Sequence, residues 1–344
     1  MDFREDKIMI RVAVDAMGGD FAPQEVVSGA VQAARREPIE LILVGQRAAI
    51  EAELDKHDTT GLKVTIEETD EFIRMDEQPA TALRQKPRAS ILVCTELVRD
   101  GRADASVTMG HTGAGMIASL WNLGRIEGIQ RPAAGITYFG LQRDTFVLDL
   151  GLNVDCKPQY LLQFALMGSV YMQRIRHISN PTVALLSNGS EDNKGHEVAR
   201  EAFPLLKNSG LNFIGNVEGM DIAFGSANVI VCDGFAGNVV LKLTEGLSEA
   251  LLNVIEKEVK EVLPANTFVE QFMPVLNRVR RMMDYSEIGA APVLGVNGVS
   301  VIGHGRSKSK AVVSAVQQAC RAVEGELVSA IREGWLEIAR KENL

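Results

Sequence analysis

The sequence predicts an α/β protein with a largely parallel sheet and flanking helices. Short β-branched runs alternate with longer helix-compatible stretches, and each run ends in Gly, Asn or Asp. The 344 residues, 46% hydrophobic and 24% charged, are enough to build one large or two modest cored domains. No fixed-period repeat or low-complexity linker interrupts the rhythm, so composition marks no domain boundary.

The first run, VAVDAMGGDFAP at 12–23, joins a strand (Val12, Ala13, Val14) to a turn at Gly18-Gly19 and a helix start near Asp20 and Pro23. Asp15 is the anomaly, because a carboxylate in an apolar strand needs partners or a cleft. Further strands are expected in LILVG (41–45), KVTIEE (63–68), ASVTMG (105–110), TFVLDLG (145–151), TVALLSNG (182–189) and NVIVCDG (228–234). The rhythm changes at 247–262, where Leu247, Leu251, Val254, Ile255 and Val259 recur at helical spacing with charged residues between them. Pro264 ends that helix. A second apolar stretch holds Phe268, Val269, Phe272 and Leu276, is broken by Pro274, and is followed by Arg278, Arg280 and Arg281. Two helices meeting at a proline-rich aromatic tip predict a projecting hairpin over 247–285.

Thirty-six basic against 45 acidic residues give a formal net charge of −9, which argues against a broad nucleic-acid-binding face. Cys94, Cys156, Cys232 and Cys320 stand far apart with no CxxC pair and read as reduced thiols of a cytoplasmic protein. The five histidines are equally scattered, so no metal is expected. The charged start MDFREDK lacks the apolar core of a signal peptide. No apolar run of about 18 residues follows, so no membrane span is expected.

The strand ends share glycine beside Asp, Asn, Ser or Thr. TMGHTGAG sets Gly110, Gly113 and Gly115 around His111 and Thr112, which suits either an anion nest or a tight strand-to-helix turn. LDLGLNVDCKP offers Asp149, Asn153, Asp155 and Lys157; LLSNGSEDNKGHE offers Asn188, Lys194 and His196; CDGFAGNVVLK offers Asp233, Asn238 and Lys242. Each alone reads as a capped turn, and their recurrence points to a shared polar cleft. GVNGVSVIGHGRSKSK carries Asn297, then His304 between two glycines, then Arg306, Lys308 and Lys310, a pattern suited to phosphate. There is no GxSxG elbow, HExxH pair, Walker lysine or Rossmann fingerprint. The residues alone reach an α/β enzyme that positions anionic ligands without covalent catalysis.

Taken together and in order, VAVDAMGGDFAP, TGAG, LDLGLNVDCKP, GNVEGMDI, CDGFAGNVVLK and GVNGVSVIGHG resemble the bacterial acyl-carrier-protein:phosphate acyltransferases of phospholipid synthesis over nearly the whole chain. The resemblance implies a single α/β catalytic unit over 8–344, or two subdomains around a central cleft, with a fold similar to isocitrate and isopropylmalate dehydrogenases. It implies transfer of a long-chain acyl group from acyl carrier protein to inorganic phosphate, by a homodimer without cofactor. The acyl phosphate would feed a membrane glycerol-3-phosphate acyltransferase. Phosphate is then the nucleophile, so no serine or cysteine attacker is needed. On this reading Lys194 and His304 contact phosphate or oxyanion, Asp15 and Asp233 orient those cations, and Gly18, Gly19, Gly110, His111, Thr112, Gly113, Asn153, Asn238 and Asn297 shape the substrate cradle. The tip residues Phe268, Val269, Phe272, Leu276, Arg278, Arg280 and Arg281 meet an anionic membrane surface or a partner, giving a cytoplasmic protein reversibly held on the inner face of the cell membrane. The alternatives are a phosphotransacetylase-like enzyme acting on acyl-CoA and a nonenzymatic scaffold that binds acyl carrier protein. The chain departs from the family pattern at His111, in GSEDNKG and in the basic loop 306–310.

Overall fold

The computed structural model describes residues 9–137, 144–283 and 290–342. In chain order, the first segment holds β1 (Ile10–Asp15), α1 (Gln24–Arg36), β2 (Ile39–Gly45), α2 (Arg47–Leu54), β3 (Lys63–Glu68), α3 (Pro79–Gln85), α4 (Ser90–Arg99), β4 (Ala105–Thr108) and α5 (Thr112–Leu123). Next come β5 (Ala133–Thr137), β6 (Phe146–Leu148), α6 (Pro158–Arg176), β7 (Val183–Leu186), α7 (Glu197–Asn208), β8 (Phe213–Val217), α8 (Gly219–Phe224) and β9 (Val229–Val231). The helical segment α9 (Gly234–Val262), α10 (Ala265–Thr267) and α11 (Met273–Met283) precedes β10 (Ala290–Leu294), β11 (Val299–Gly303), α12 (Ser309–Glu324) and α13 (Leu327–Glu342). The chain divides into two compact units: unit 1 from Met1–Pro132 and Gly289–Glu333, unit 2 from Ala133–Ile288 and Gly334–Leu344.

In unit 1 the strands run in the order β3-β2-β1-β4-β11-β10, parallel except for the antiparallel β10–β11 pair. The inner strand β1 is almost wholly buried, whereas the edge strand β3 alternates exposed and half-buried residues, as one uncovered edge requires. On α1 the apolar stripe Val26, Val27, Ala30, Val31 and Ala34 is buried, with Glu25 in the first turn and Arg35 and Arg36 in the last, where the helix dipole favours them. Gly29 lets α1 close on α12, since a methyl group there would lie 2.5 Å from the Ser309 carbonyl oxygen.

Unit 2 has the order β5-β6-β9-β7-β8, with β5 antiparallel and the rest parallel. Its central helix α6 is buried on nearly every side, as its apolar LLQFALMGSVYM run demands. Gly168 brings it against β9, where a methyl group would meet Val229 Cγ1 at 2.5 Å.

All six expected strand runs are strands: LILVG lies within β2 and KVTIEE is the whole of β3, while the other four are trimmed at their polar ends. The hairpin differs from expectation. Its first helix starts at Gly234 rather than 247, because the Asp233 side chain caps α9 by accepting the Ala236 N–H at 2.8 Å. The tip contacts also need correction. Phe268 and Leu276 are buried at 6% and 2% exposure, the Phe268 and Phe272 rings meet at a tilt with centroids 5.6 Å apart, and Arg280 pairs with Glu256 of α9. The π-helical turn Phe268–Phe272 resets the helical phase and turns those apolar side chains inward. Val269, Arg278 and Arg281 remain exposed, and Phe272 is half-buried. Residues 284 and 285 lie outside the described residues.

Candidate functional site

Within unit 1 the carboxyl ends of β1, β4 and β11 gather most of the residues expected there. Asp15, 3% exposed, closes β1 and accepts the Thr108 hydroxyl at 2.7 Å and the Met17 N–H at 3.2 Å. Thr108 Oγ1 in turn accepts the Gly110 N–H at 3.0 Å. Burial pushes the Asp15 carboxyl above the ordinary aspartate range, and hydrogen bonds from Ser90, Thr108 and the Met17 and Gly18 amides pull it back. The expectation that Asp15 orients a cation is therefore corrected: its partners are hydroxyls and amides, which satisfy a strand-end carboxylate without a lysine or histidine.

The glycines here answer to close approach. A methyl group on Gly18 would lie 2.5 Å from Asp15 Oδ2, and on Gly19, at φ +109°, 2.9 Å from the Met109 carbonyl oxygen. The Asp20 N–H donates to the Gly305 carbonyl at 2.8 Å, tying the first turn to the loop after β11. His111 caps α5, its Nδ1 accepting the Gly113 N–H at 3.1 Å, and Thr112 stands exposed as the first helical residue. His304 is exposed, with Nδ1 accepting the Arg306 N–H at 3.2 Å. Beside it, Ser307 is 3% exposed and its hydroxyl has no hydrogen-bond partner among the described residues. A buried, unsatisfied hydroxyl thus lies in a loop of exposed Arg306 and Lys308, groups whose chemistry suits an anion.

Asn297 is a correction. It precedes β11 and so lies at the opposite end of that strand from His304, where its Nδ2 donates to the Arg125 carbonyl at 2.7 Å and its Oδ1 accepts from Arg332. Five strand residues put about 16 Å between the two ends.

Unit 2 carries a second polar cluster at the ends of β6, β7 and β9. Asp149 is fully buried and gathers the turn after β6, accepting from the N–H groups of Ala134, Leu152 and Asn153 and from Asn153 Nδ2 at 2.7–3.2 Å. Burial still pushes its carboxyl upward. The first turn of α9 presses on this turn: Gly234 donates to the Asn153 carbonyl at 2.7 Å, and Asn238 lies exposed next to Gly151. Lys194 is exposed, with its stem over Gly189 and its ammonium 3.8 Å from Glu191. Asp233 faces His196 rather than Lys194, with Oδ2 3.4 Å from His196 Nε2. The sequence named His196 only as a member of a polar run. Its loop position gave no sign that the imidazole would reach the cap of another helix.

His196 and Asp233 border a cavity of about 610 Å³ walled by Leu161, Leu185, Ser187 and Cys232, a set that does not include Lys194. Burial pushes the Cys156 thiol up to about 12 and the Cys94 and Cys232 thiols well above their ordinary range, so none is a thiolate nucleophile at neutral pH. Among the described residues no group of three or more His, Cys, Asp or Glu is placed to hold a metal.

Residues 10–330 match the family model described as "Fatty acid synthesis protein". The phosphate acyltransferase of Heliobacterium modesticaldum is 49% identical over 326 residues, covering 94% of this chain and 97% of its own. That of Pelotomaculum thermopropionicum is 47% identical over 323 residues, covering 94% of each. The chain belongs to the phosphate acyltransferase family. It is an acyltransferase, and phosphate is the acceptor its family name carries. Solved structures with the same fold include a phosphotransacetylase from Streptococcus pyogenes (TM-score 0.63, 17% identity, 92% of this chain and 94% of that one) and the EutD phosphotransacetylase of Staphylococcus aureus (0.60, 14%, the same coverage). The 4-hydroxythreonine-4-phosphate dehydrogenase of Klebsiella pneumoniae is a further one (0.52, 12%, 92% and 98%). At these identities the likeness shows the fold alone.

Proposed function

We propose that this family member moves a long-chain acyl group from acyl carrier protein to inorganic phosphate, releasing acyl phosphate for a membrane glycerol-3-phosphate acyltransferase of phospholipid synthesis. The observation that carries the phosphate half is the unit 1 nest: the Gly18-Gly19 turn, tied to the Gly305 carbonyl through the Asp20 amide, and the unpartnered Ser307 hydroxyl beside exposed Arg306 and Lys308. Such a nest holds a dianion whose own oxygen attacks a thioester, and positioning replaces covalent catalysis. On the same reading Lys194, His304, Asn153 and Asn238 are further substrate-contact residues, Lys194 offering phosphate or oxyanion an exposed ammonium that also lies 3.8 Å from Glu191.

Assembly and location belong to the same reading. On α9 the residues Phe235, Val239, Leu243, Leu247 and Leu251 are all 49–64% exposed and recur every four positions, a stripe suited to a second copy of the chain. Val262 and Val269 are 80% and 63% exposed, near exposed Arg278 and Arg281, and suit reversible docking on anionic lipid at the inner face of the cell membrane. Among the described residues no helix is long and apolar enough to cross a membrane.

The test is incubation with acyl carrier protein loaded with a long acyl chain, plus phosphate, followed by trapping with hydroxylamine. Hydroxamate that depends on both substrates is expected. Product from acyl-CoA but not from acyl carrier protein would favour the phosphotransacetylase-like reading, which the two phosphotransacetylase neighbours motivate. Binding of acyl carrier protein without product would leave only a scaffold.

A further inference from the structure

The phosphate nest accounts for unit 1 and leaves the unit 2 cavity without a task. That cavity sits at the carboxyl ends of β7 and β9, and there the strand sequence doubles back: the chain runs β6, β7, β8 outward and then returns β9 between β6 and β7. In open parallel sheets such reversals are where ligands bind. Leucines and alanines form much of its wall, and the buried Ser187 hydroxyl has no partner among the described residues. The cavity is therefore shaped for a mostly apolar group that brings one hydrogen-bonding atom.

One titratable pair borders it. His196 makes no capping bond to α7, the helix it precedes, and turns Nε2 to Asp233 Oδ2 at 3.4 Å. Asp233 cannot swing away, because its other oxygen caps α9 at 2.8 Å. A carboxylate beside one imidazole nitrogen leaves Nδ1 as the nitrogen that can exchange a proton. The other charged groups on these elements are engaged elsewhere or lie outward: Lys194 with Glu191 at 3.8 Å, Arg200 on the Gly195 carbonyl at 3.0 Å, and exposed Glu197 and Glu218. The neighbouring Cys232 thiol stays protonated.

The geometry points to this cavity as the seat of the departing thiol and to His196 as the general acid that protonates it, an inference that rests on the acyl-transfer reading and deepens it. An oxygen of hydrogen phosphate forms a bond to the acyl carbonyl carbon. The carbon–sulfur bond breaks with its electron pair on sulfur, and His196 Nδ1–H gives that sulfur its proton. The proton shed by the phosphate hydroxyl goes to solvent, from which exposed His196 is reprotonated, so a thioester and hydrogen phosphate dianion become acyl phosphate dianion and a thiol.

The test compares the wild type with His196→Gln, which keeps an amide for Asp233 but carries no transferable proton, and with Asp233→Asn, which keeps a cap. With acyl-loaded carrier protein, His196→Gln is expected to lower kcat about 100-fold with KM within about twofold, and Asp233→Asn to lower it less. The second readout is a matched pair of long-chain thioesters, of ethanethiol and of trifluoroethanethiol, used at the same concentration. The fluorinated thiolate leaves without needing a proton, so the His196→Gln defect should shrink at least tenfold on that ester. An unchanged kcat, a defect confined to KM, a defect equal on both esters, or failure of the wild type to use either ester while using acyl-loaded carrier protein would overturn the assignment. Absence of acyl phosphate from the wild type with acyl-loaded carrier protein would instead sink the function itself. Equal melting temperatures for the three proteins would exclude misfolding as the cause.

Discussion

A methyl group at Gly237 would lie 1.8 Å from the Asp149 carbonyl oxygen, a backbone atom that cannot step aside without moving the whole 149–153 turn. Gly237→Ala is therefore expected to destabilise unit 2 by about 3 kcal/mol, read as a lowered urea midpoint. An unchanged midpoint would mean that α9 does not press on this turn in solution. Asp15 makes a different kind of prediction, because its carboxyl is raised by burial above the ordinary value of 3.8. Between the ordinary value and the raised one, the folded state binds more protons than the unfolded chain, so stability falls as pH rises through that window and levels off once Asp15 ionises. Asp15→Asn removes the titration and leaves a constant offset. The stability difference between variant and wild type, measured by urea unfolding from pH 4 to 7, should shift towards the variant as pH rises. A flat difference would show that Asp15 titrates at its ordinary value in the fold. The sequence exposed Asp15 as an anomaly because one carboxylate in VAVD is conspicuous. It could not show that Thr108, 93 positions later, supplies the hydroxyl.

Element boundaries were legible where composition is extreme and lost where it is not. LILVG and TVALL announce themselves as strands, whereas β5 (AAGIT) and β10 (AAPVL) carry few β-branched residues and are strands because their neighbours pair with them. The start of α9 was hidden by Gly234 and Gly237, which punctuate a sequence as turns do but here permit helix–turn contact. Asn297 was misread for a related reason: adjacency to a strand does not say which end of the sheet a residue reaches. The hairpin carries the prediction for this scale. Leu243→Glu with Leu247→Glu should halve the particle mass in light scattering, because two charges on the α9 stripe would face their counterparts in a second copy. Val262→Asp with Val269→Asp should leave that mass unchanged and abolish sedimentation with anionic liposomes. A wild type that is monomeric, or that ignores liposomes, refutes the corresponding half of the reading.

For the whole molecule, both units use the same construction: a parallel sheet whose carboxyl edge is crowded with carboxylates satisfied by amides, and glycines that let backbone come close. That repeated device is what the glycine-rich strand ends advertised, and it is why family and fold could be read while individual roles could not. The interruption of unit 1 has its own outcome at the ribosome. Strand β4 is an inner strand only because β11 lies against it, and β11 is made after all of residues 133–288. At synthesis rates of about 5–20 residues per second, β4 waits roughly 10–40 s with an open, apolar edge. Throughout that interval the nascent chain holds an unfinished sheet, and chaperone cover has most to protect there.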